Sequence, residues 1–301
     1  MTLVFTGVFA LVTIPLVVVA KVYSSVIKPF NWARPNPNPT SILITGASYG
    51  LGAAFAKAYA GPGIHLALTA RSEDKLAETR AACEAKGATV MVGVVDVTDQ
   101  EAMADFITTV DEAAPLELVI ANAGVSEQSV GLAKELEAST RRLTDINVVG
   151  VYNTVFPAID LMKTRQAGQI VIMSSLAGFG GMPASTAYFT TKTAMKAFGY
   201  GLRGQLNKYN IGVTTICPGF VRSEMTRINK FPMPGLMDEA PAIAYMMEGI
   251  AANVSVVTFP WPMYLAVWYM QNMLPDDARD ILFMPFLALR NRRSSSTNKS
   301  D

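Results

Sequence analysis

The chain has 301 residues, of which 50% are hydrophobic, and a formal net charge of +1 at pH 7. This length and composition favour one catalytic domain with appendages over two full domains. The balanced charge, without a basic stripe interleaved with aromatic residues, argues against nucleic acid as a partner. The two cysteines, Cys83 and Cys217, and the single histidine have no metal-ligand spacing, so we predict no metal site.

The first segment, residues 1–22, is apolar and has no charged residue from Leu3 to Ala20. Such a stretch, if helical, is long enough to cross a hydrocarbon core of about 30 Å. We therefore predict a single-pass transmembrane anchor, and the basic residues after it place the catalytic domain on the cytoplasmic side of the membrane. A cleaved targeting peptide is the alternative, although a basic n-region is missing. The Pro-rich residues 23–39 predict a linker.

A glycine-rich turn follows the first predicted strand, residues 41–45. The Ala-rich stretch after the turn, residues 53–60, predicts a helix. A buried strand, a glycine turn and a helix start suit a nucleotide phosphate, because glycine lets the backbone approach closely and the helix start offers unpaired N–H groups. A plain strand-to-helix turn is the alternative. The glycine spacing is one residue longer in its first gap than the usual dinucleotide fingerprint, in the run Gly46-Ala47-Ser48-Tyr49-Gly50-Leu51-Gly52.

The second predicted strand, residues 64–69, leads into Ala70-Arg71-Ser72. In a dinucleotide-binding unit this position meets the adenosine ribose, and an Asp or Glu there would bind a free 2′-hydroxyl. Here the acid is absent, and a guanidinium beside a small hydroxyl suits a 2′-phosphate. We therefore predict NADP(H) as the cofactor. The alternative is that Arg71 caps the strand end or pairs with Glu73 in solvent.

Strand and helix patterns then alternate along the chain. This alternation predicts an α/β fold with a doubly wound, mostly parallel sheet and ligands at the carboxyl ends of the strands. One predicted helix runs through Asn147, and a later one carries Tyr188. The other predicted elements are helices over residues 73–86 and 101–112 and strands over residues 90–95, 118–121, 169–173, 213–216 and 255–259.

Tyr188 and Lys192 are four residues apart on that later helix, and Ser174 and Ser175 lie upstream. Residues at this spacing share one helix face, about 5 to 6 Å apart at Cβ. An ammonium beside a phenol favours the phenolate, so a group with a free pKa of about 10 exchanges a proton nearer neutral pH. The pair predicts acid/base chemistry on a ketone or an alcohol. Two surface residues of an amphipathic helix are the alternative.

The glycine spacing and the Tyr188–Lys192 pair together resemble the short-chain dehydrogenase/reductase family. The resemblance runs from about Thr40 to Pro260 and implies a Rossmann-type fold with a single catalytic domain, residues 40–260. Four further stretches match the family in the same order: Asn122-Ala123-Gly124, Asn147, Ser175 thirteen positions before Tyr188, and Pro218-Gly219.

The resemblance implies a catalytic role for each matching side chain. Tyr188 is the expected proton donor or acceptor, and Lys192 is expected to bind the nicotinamide ribose and lower the tyrosine pKa. Ser175 is expected to hydrogen-bond the substrate oxygen, with Ser174 as its competitor for that role. Asn147 is expected to hold a water of the proton relay.

The resemblance also implies cofactor contacts after several strands. Asp96 with Val97 is the implied adenine contact, and Ser223 stands where a threonine often contacts the nicotinamide carboxamide. Tyr49 stands where some NADP-using relatives carry a basic residue. The remaining implied contacts are Asn122, Ala123, Gly124, Pro218, Gly219 and Val221.

The C-terminal third predicts a hydrophobic substrate. Residues 221–247 are rich in Met and Pro and resemble the family's mobile lid. Adaptable Met side chains suit an apolar ligand, and the alternative is that they only fill the gap beneath the lid. Residues 261–293 form an aromatic and apolar extension, predicted either to contact membrane lipid at the interface or to form a flap or dimer contact over the core. Residues 294–301 predict a disordered polar tail.

We therefore predict an NADP(H)-dependent oxidoreductase that interconverts a hydrophobic, lipid-like ketone and secondary alcohol by hydride transfer. The chain also resembles membrane-anchored hydroxysteroid and 3-ketosphinganine reductases, and the family implies a homodimer or tetramer. The alternative is a non-catalytic, NADP-binding, membrane-associated scaffold. The joint presence of Asn147, Ser175, Tyr188 and Lys192 argues against the scaffold.

Overall fold

The central sheet contains seven strands in the computed structural model, which describes residues 33–34, 36–229 and 231–284. The strands are β1 (Ser41–Thr45), β2 (His65–Ala70), β3 (Thr89–Val94), β4 (Leu118–Ala121), β5 (Gly168–Met173), β6 (Ile211–Pro218) and β7 (Val256–Phe259). All are parallel, in the order β3-β2-β1-β4-β5-β6-β7. The order reverses between β1 and β4, the switch point where doubly wound sheets bind ligands.

Helices connect these strands and cover both faces of the sheet. They are α1 (Gly50–Tyr59), α2 (Glu73–Glu84), α3 (Gln100–Ala113), α4 (Leu136–Thr144), α5 (Gly150–Arg165), α6 (Thr186–Leu206), α7 (Glu224–Arg227), α8 (Glu239–Ala251) and α9 (Trp261–Asn272). The predicted Rossmann-type parallel α/β fold is confirmed, and each predicted strand starts and ends within two residues of its predicted bounds. The predicted long helix through Asn147 differs, because a π-helical turn, Asp145–Val149, separates α4 from α5.

Two hydrophobic cores lie on opposite faces of the sheet, because successive side chains of a strand point to opposite sides. In β1, Ile42 and Ile44 pack into one core with Phe55 of α1, whereas Leu43 packs into the other with Met103 of α3. Every residue of β1 and of β6 is buried. This double burial explains why the strands read as continuous apolar runs.

The described end of the predicted linker is hydrogen-bonded to the domain. The Ala33 N–H donates to Asn207 Oδ1 at 2.8 Å, and Asn253 Nδ2 donates to the Ala33 carbonyl at 2.9 Å. Asn36 Nδ2 donates to Glu117 Oε2 at 3.1 Å. Ala33 and Asn36 therefore lie against the sheet-bearing part of the chain.

The predicted membrane location is wrong. Within residues 33–34, 36–229 and 231–284, no helix combines the length and the apolar character that crossing a bilayer requires. The 21-residue helix α6 illustrates the physical reason, since it carries Lys192, Lys196 and Arg203 and packs one face on the core. The segment that suggested the anchor, residues 1–22, lies outside the described residues, as do residues 285–293 of the predicted extension and the predicted tail, residues 294–301.

A buried ion pair joins α3 to α5. Arg165 donates from Nη1 to Asp111 Oδ2 at 2.7 Å and from Nη2 to Asp111 Oδ1 at 2.9 Å. The Leu116 N–H also donates to Asp111 Oδ1, at 2.8 Å, so the pair fixes the chain just before β4. The Asp111 residue is only 9% exposed. Removing this carboxylate would leave the guanidinium, which is 28% exposed and also donates to the Leu116 carbonyl, without its charged partner.

We expect Asp111→Ala to lower the free energy of unfolding by about 3 kcal/mol, because breaking one side of a buried ion pair typically costs that much. Denaturant unfolding followed by circular dichroism measures the change. The control is Glu137→Ala, which removes the exposed partner of Arg141 on α4 and should leave the midpoint nearly unchanged. Equally small losses in the two variants would contradict the stabilising role of the Asp111–Arg165 pair.

Candidate active site

The carboxyl ends of four neighbouring strands bring the predicted site residues together. Gly46 directly follows β1, Asn122 follows β4, Ser174 follows β5 and Gly219 follows β6. These strands are adjacent in the order β1-β4-β5-β6. Segments far apart in sequence therefore meet at one edge of the sheet, beside the switch point.

The glycine loop has the backbone that the sequence predicts. Gly46 and Gly50 have φ angles of +66° and +57°, in the region that favours glycine. A Cβ at Gly52 would come within 2.2 Å of the Gly46 carbonyl oxygen, so a side chain does not fit there. In this part of the described chain, the N-cap side chain of Tyr49 makes no capping bond to α1, and no acid lies in the first turn. The first-turn N–H groups therefore suit a phosphate.

Asn122 joins the end of β4 to the end of β1. Its Nδ2 donates to the Thr45 carbonyl at 2.9 Å and to the Gly46 carbonyl at 3.3 Å. Thr45 Oγ1 in turn accepts the N–H groups of Asn122 and Ala123, both at 3.1 Å. These bonds hold the glycine loop against the neighbouring strand.

Asn147 is fully buried within the π-helical turn, and its amide makes three hydrogen bonds. Oδ1 accepts the Val125 N–H at 2.8 Å, and Nδ2 donates to the Val125 carbonyl at 2.9 Å and to Thr191 Oγ1 at 3.1 Å. Gly124 lies close by, since a Cβ there would be 3.3 Å from both Asn147 Oδ1 and Lys192 Nζ. Asn147 therefore ties the loop after β4 to α6, and its role in a proton relay stays a prediction.

The two candidate serines have different surroundings. Ser174 is buried, and its Oγ donates to the Lys192 carbonyl at 2.7 Å. Ser175 Oγ donates to the Pro218 carbonyl at 3.4 Å and accepts the Ala177 N–H at 3.1 Å, and it lies near enough to the phenol of Tyr188 to lower the pKa of that phenol. Ser174 therefore braces α6, and Ser175 is the serine that faces the tyrosine, as the family spacing implies.

Tyr188 and Lys192 lie together on one face of α6. Lys192 is 5% exposed, and its Nζ lies 5.6 Å from the centre of the Tyr188 ring and donates to the Met173 carbonyl at 2.9 Å. Desolvation lowers the pKa of Lys192 to about 8. Desolvation also raises the pKa of Tyr188 to about 12, against the opposing effect of Ser175. The predicted lowering of the tyrosine pKa is thus reversed here, because the loss of water outweighs the neighbouring groups.

Arg71 follows β2 and Asp96 follows β3, at the predicted adenosine end of the site. Arg71 Nη1 lies 3.8 Å from Asp96 Oδ2, so its partner is Asp96 and not Glu73. Burial raises the pKa of Asp96, but hydrogen bonds from Thr98 and the positive charges of Arg71 and Arg142 outweigh it, and the net pKa is lowered. Ser72 is the N-cap residue of α2. The adjacent Val97 is buried.

The segment after β6 closes against the glycine loop. The Gly219 N–H donates to the Phe259 carbonyl at 2.7 Å, and Val221 is 4% exposed. Ser223 begins α7 with a capping box that includes Thr226. A Cβ added at Gly50 would lie 3.8 Å from the Ser223 Cβ. Ser223, the predicted nicotinamide contact, therefore lies beside the glycine loop.

The sequence left one feature of the site open between two alternatives and did not predict a second. The helix α9 packs beside the chain that follows Ser175: the rings of Phe179 and Tyr264 are 5.1 Å apart, and Gln271 Nε2 donates to the Gly181 carbonyl at 3.0 Å. The other feature is the buried Glu127, which lies in a loop without any sequence motif. The aromatic richness of residues 259–270 was the one available signal for the first feature.

Known proteins match most of the chain. Residues 40–231 match the family model described as short chain dehydrogenase. An uncharacterized oxidoreductase of Myxococcus xanthus is 38% identical over 240 residues, which cover 79% of this chain and 94% of that protein. A fatty acyl-CoA reductase of Acinetobacter baylyi is 31% identical over 217 residues, covering 69% of this chain and 72% of that protein.

A solved structure has the same fold. The 3-oxoacyl-(acyl-carrier protein) reductase with bound NAD from Brucella melitensis superposes with a TM-score of 0.63 at 25% sequence identity, covering 75% of this chain and 92% of that chain. The family inferred from the glycine spacing and the Tyr188–Lys192 pair is therefore confirmed. The finer resemblance to hydroxysteroid and 3-ketosphinganine reductases is not shown by these matches. With its parallel sheet and its matched residues in agreement, the chain belongs to the short chain dehydrogenase family of oxidoreductases.

Proposed function

We propose that the chain is an NADP(H)-dependent oxidoreductase that interconverts a hydrophobic ketone and its secondary alcohol, with Tyr188 as the acid/base group. The observation that carries the proposal is the meeting of Ser175, Tyr188 and Lys192 at the switch-point edge of the sheet. The hydroxyl group of Ser175 lies there in the turn after β5, together with the hydroxyl group of Tyr188 and the ammonium group of Lys192 on α6. Such a group stabilises the negative charge that develops on a carbonyl oxygen during reduction.

The residues at this edge suit a nicotinamide cofactor, which in this family supplies or accepts the hydride. The glycine loop and the start of α1 offer backbone N–H groups for the pyrophosphate. Lys192 is assigned to the nicotinamide ribose, and Asp96 with Val97 to the adenine. The absence of a Cβ at Gly46 and Gly52 lets the glycine loop pack tightly, because a side chain at either position would clash with the neighbouring backbone.

The proton chemistry favours reduction. With its pKa raised to about 12, the Tyr188 phenol is protonated at neutral pH, as a proton donor to a carbonyl oxygen must be. With its pKa lowered to about 8, Lys192 is mostly charged below that pH and loses its charge above it. Ser175, which lowers the pKa of the phenol, stabilises the phenolate after the proton has left.

Arg71 supports NADP(H) over NAD(H). It directly follows β2, and its side chain is 57% exposed. The 3.8 Å separation from Asp96 makes a weak pair, so the guanidinium can turn toward a 2′-phosphate. The chain has no Asp or Glu at the end of β2 that would repel this phosphate.

Aromatic and sulfur-containing side chains around the site support a hydrophobic, lipid-like substrate. Phe179 and Tyr264 pack edge to face downstream of Ser175, and the rings of Phe220 and Phe231 lie 5.9 Å apart after β6. Met263 lies against Gly219. The relative from Acinetobacter baylyi acts on a fatty acyl group by its name, in agreement with a substrate that has an alkyl chain.

We expect Tyr188→Phe to lower kcat for NADPH-dependent reduction of an apolar ketone by about 100-fold or more, because the proton donor is lost. Steady-state oxidation of NADPH measures kcat, and quenching of protein fluorescence shows that the cofactor still binds. Tyr200→Phe on the same helix is the control and should keep its activity, since Tyr200 is 46% exposed and outside the Ser175 group. Equal activity in Tyr188→Phe and in the unmodified protein would discard the mechanism.

We expect Arg71→Ala to lower kcat/KM for NADPH by about tenfold or more while leaving kcat/KM for NADH little changed, because the 2′-phosphate loses its charged partner. Kinetics with the two cofactors measure the ratio. Arg80→Ala is the control, because Arg80 pairs with Glu84 on the exposed surface of α2. A preference of the unmodified protein for NADH would refute the cofactor assignment.

A further inference from the structure

A carboxylate that the proposed reaction does not use lies at the start of α6. Glu127, in the loop between β4 and α4, is 5% exposed. Its Oε1 accepts the backbone N–H of Tyr188 at 3.0 Å, and its Oε2 accepts the Ser185 hydroxyl at 2.6 Å. Both oxygens of this carboxylate therefore bind the first turn of the helix that carries the tyrosine.

Glu127 caps the N-terminus of α6, although it lies 61 positions before Tyr188 in the sequence. Ser185 is the N-cap residue of α6, but its hydroxyl donates to Glu127 instead of capping the helix. The N–H of Tyr188 belongs to the first turn, where backbone donors have no partner within the helix. A negative charge at this end is also favoured by the helix dipole.

The loop that carries Glu127 is itself held to α6. Asn147 exchanges two hydrogen bonds with the backbone of Val125, two residues before Glu127, and donates a third to Thr191, three residues after Tyr188. The loop is thus joined to α6 on both sides of the tyrosine. A substitution at Glu127 therefore acts directly on the first turn of α6, which carries Tyr188.

The charged and titratable groups around Tyr188 come from three elements. Lys192 follows on α6, Glu127 comes from the loop after β4, and Cys217 of β6 lies near Lys192. Burial raises the pKa of the Cys217 thiol to about 11, so this thiol is neutral at working pH. The charge of Glu127 adds to desolvation in raising the pKa of Tyr188. Glu127 is therefore the negative charge that opposes ionisation of the phenol.

We propose that Glu127 is a positioning residue that anchors the backbone of Tyr188 and keeps a negative charge within hydrogen-bond distance of the N–H of that residue. This role rests on the proposed acid/base function of Tyr188. It makes Glu127 a determinant of the pH range in which the enzyme works. The carboxylate acts through the tyrosine and does not itself touch the substrate.

The test compares Glu127→Gln, Glu127→Ala and the control Glu135→Gln. Glutamine keeps an oxygen for the Tyr188 N–H and an amide group for Ser185, so this variant removes the charge and retains the shape. Glu135 precedes α4 and is exposed. Thermal unfolding shows whether each full-length variant is folded. If Glu127→Ala does not fold, Glu127→Gln alone provides the test.

We expect Tyr188 in Glu127→Gln to ionise at a pH about one unit lower than in the unmodified protein, because a like charge has been removed. The ζ-carbon NMR signal of isotope-labelled tyrosine, assigned by its loss in Tyr188→Phe, follows this ionisation without turnover. The pH profile of alcohol oxidation, which needs the phenolate, should shift in the same direction. Glu135→Gln should shift neither.

Glu127→Ala should in addition lower kcat by about tenfold with little change in KM, because the Tyr188 N–H loses its partner and the phenol its alignment. An unshifted titration in Glu127→Gln, together with an unchanged kcat in Glu127→Ala, would overturn the role of Glu127. If no variant and no unmodified protein turns over a ketone, but the Tyr188 signal still shifts in Glu127→Gln, the proposed function fails while the coupling of Glu127 to Tyr188 stands.

Discussion

The side-chain amide of Asn147 holds three parts of the chain in place, and the arrangement of the candidate site depends on it. It is fully buried, and an amide in such a position is costly unless its polar atoms are paired. Its bonds to the Val125 backbone and to Thr191 join the loop after β4, the π-helical turn and α6. The π-helical turn explains how a residue within a long helical stretch presents its amide to both partners.

The same enclosure determines the chemistry of the site. Removing water disfavours the charged form of every buried group, so it raises the pKa of Tyr188 to about 12 and lowers that of Lys192 to about 8. The two shifts bring a neutral phenol and a readily deprotonated amine together near neutral pH. The negative charge of Glu127 raises the pKa of Tyr188 further, whereas Ser175 lowers it. Desolvation makes the largest contribution to the proton affinity of the tyrosine, and these two neighbours adjust it in opposite directions.

Much of the fold could be predicted, because local rules were sufficient. Buried parallel strands appear as short apolar runs, and glycine spacing and the four-residue Tyr188–Lys192 interval reflect backbone geometry. The prediction of a membrane location was wrong, since hydrophobic composition alone does not reveal whether an apolar segment meets lipid or protein. The described part of the apolar extension includes α9, which contacts Phe179 and Gly181. The direction of the tyrosine pKa was also missed, because desolvation depends on atoms that are distant in sequence.

By itself, the sequence determined the order of strands and helices along the chain, the glycine loop, the single helix face that carries Tyr188 and Lys192, and the absence of an acid at the end of β2. All of these follow from the conformational preferences and spacing of neighbouring residues. Only the tertiary structure decided that Asp96 is the partner of Arg71 and that Glu127 caps α6. These contacts join residues brought together by the parallel crossovers of the sheet, and no local pattern encodes a partner dozens of positions away.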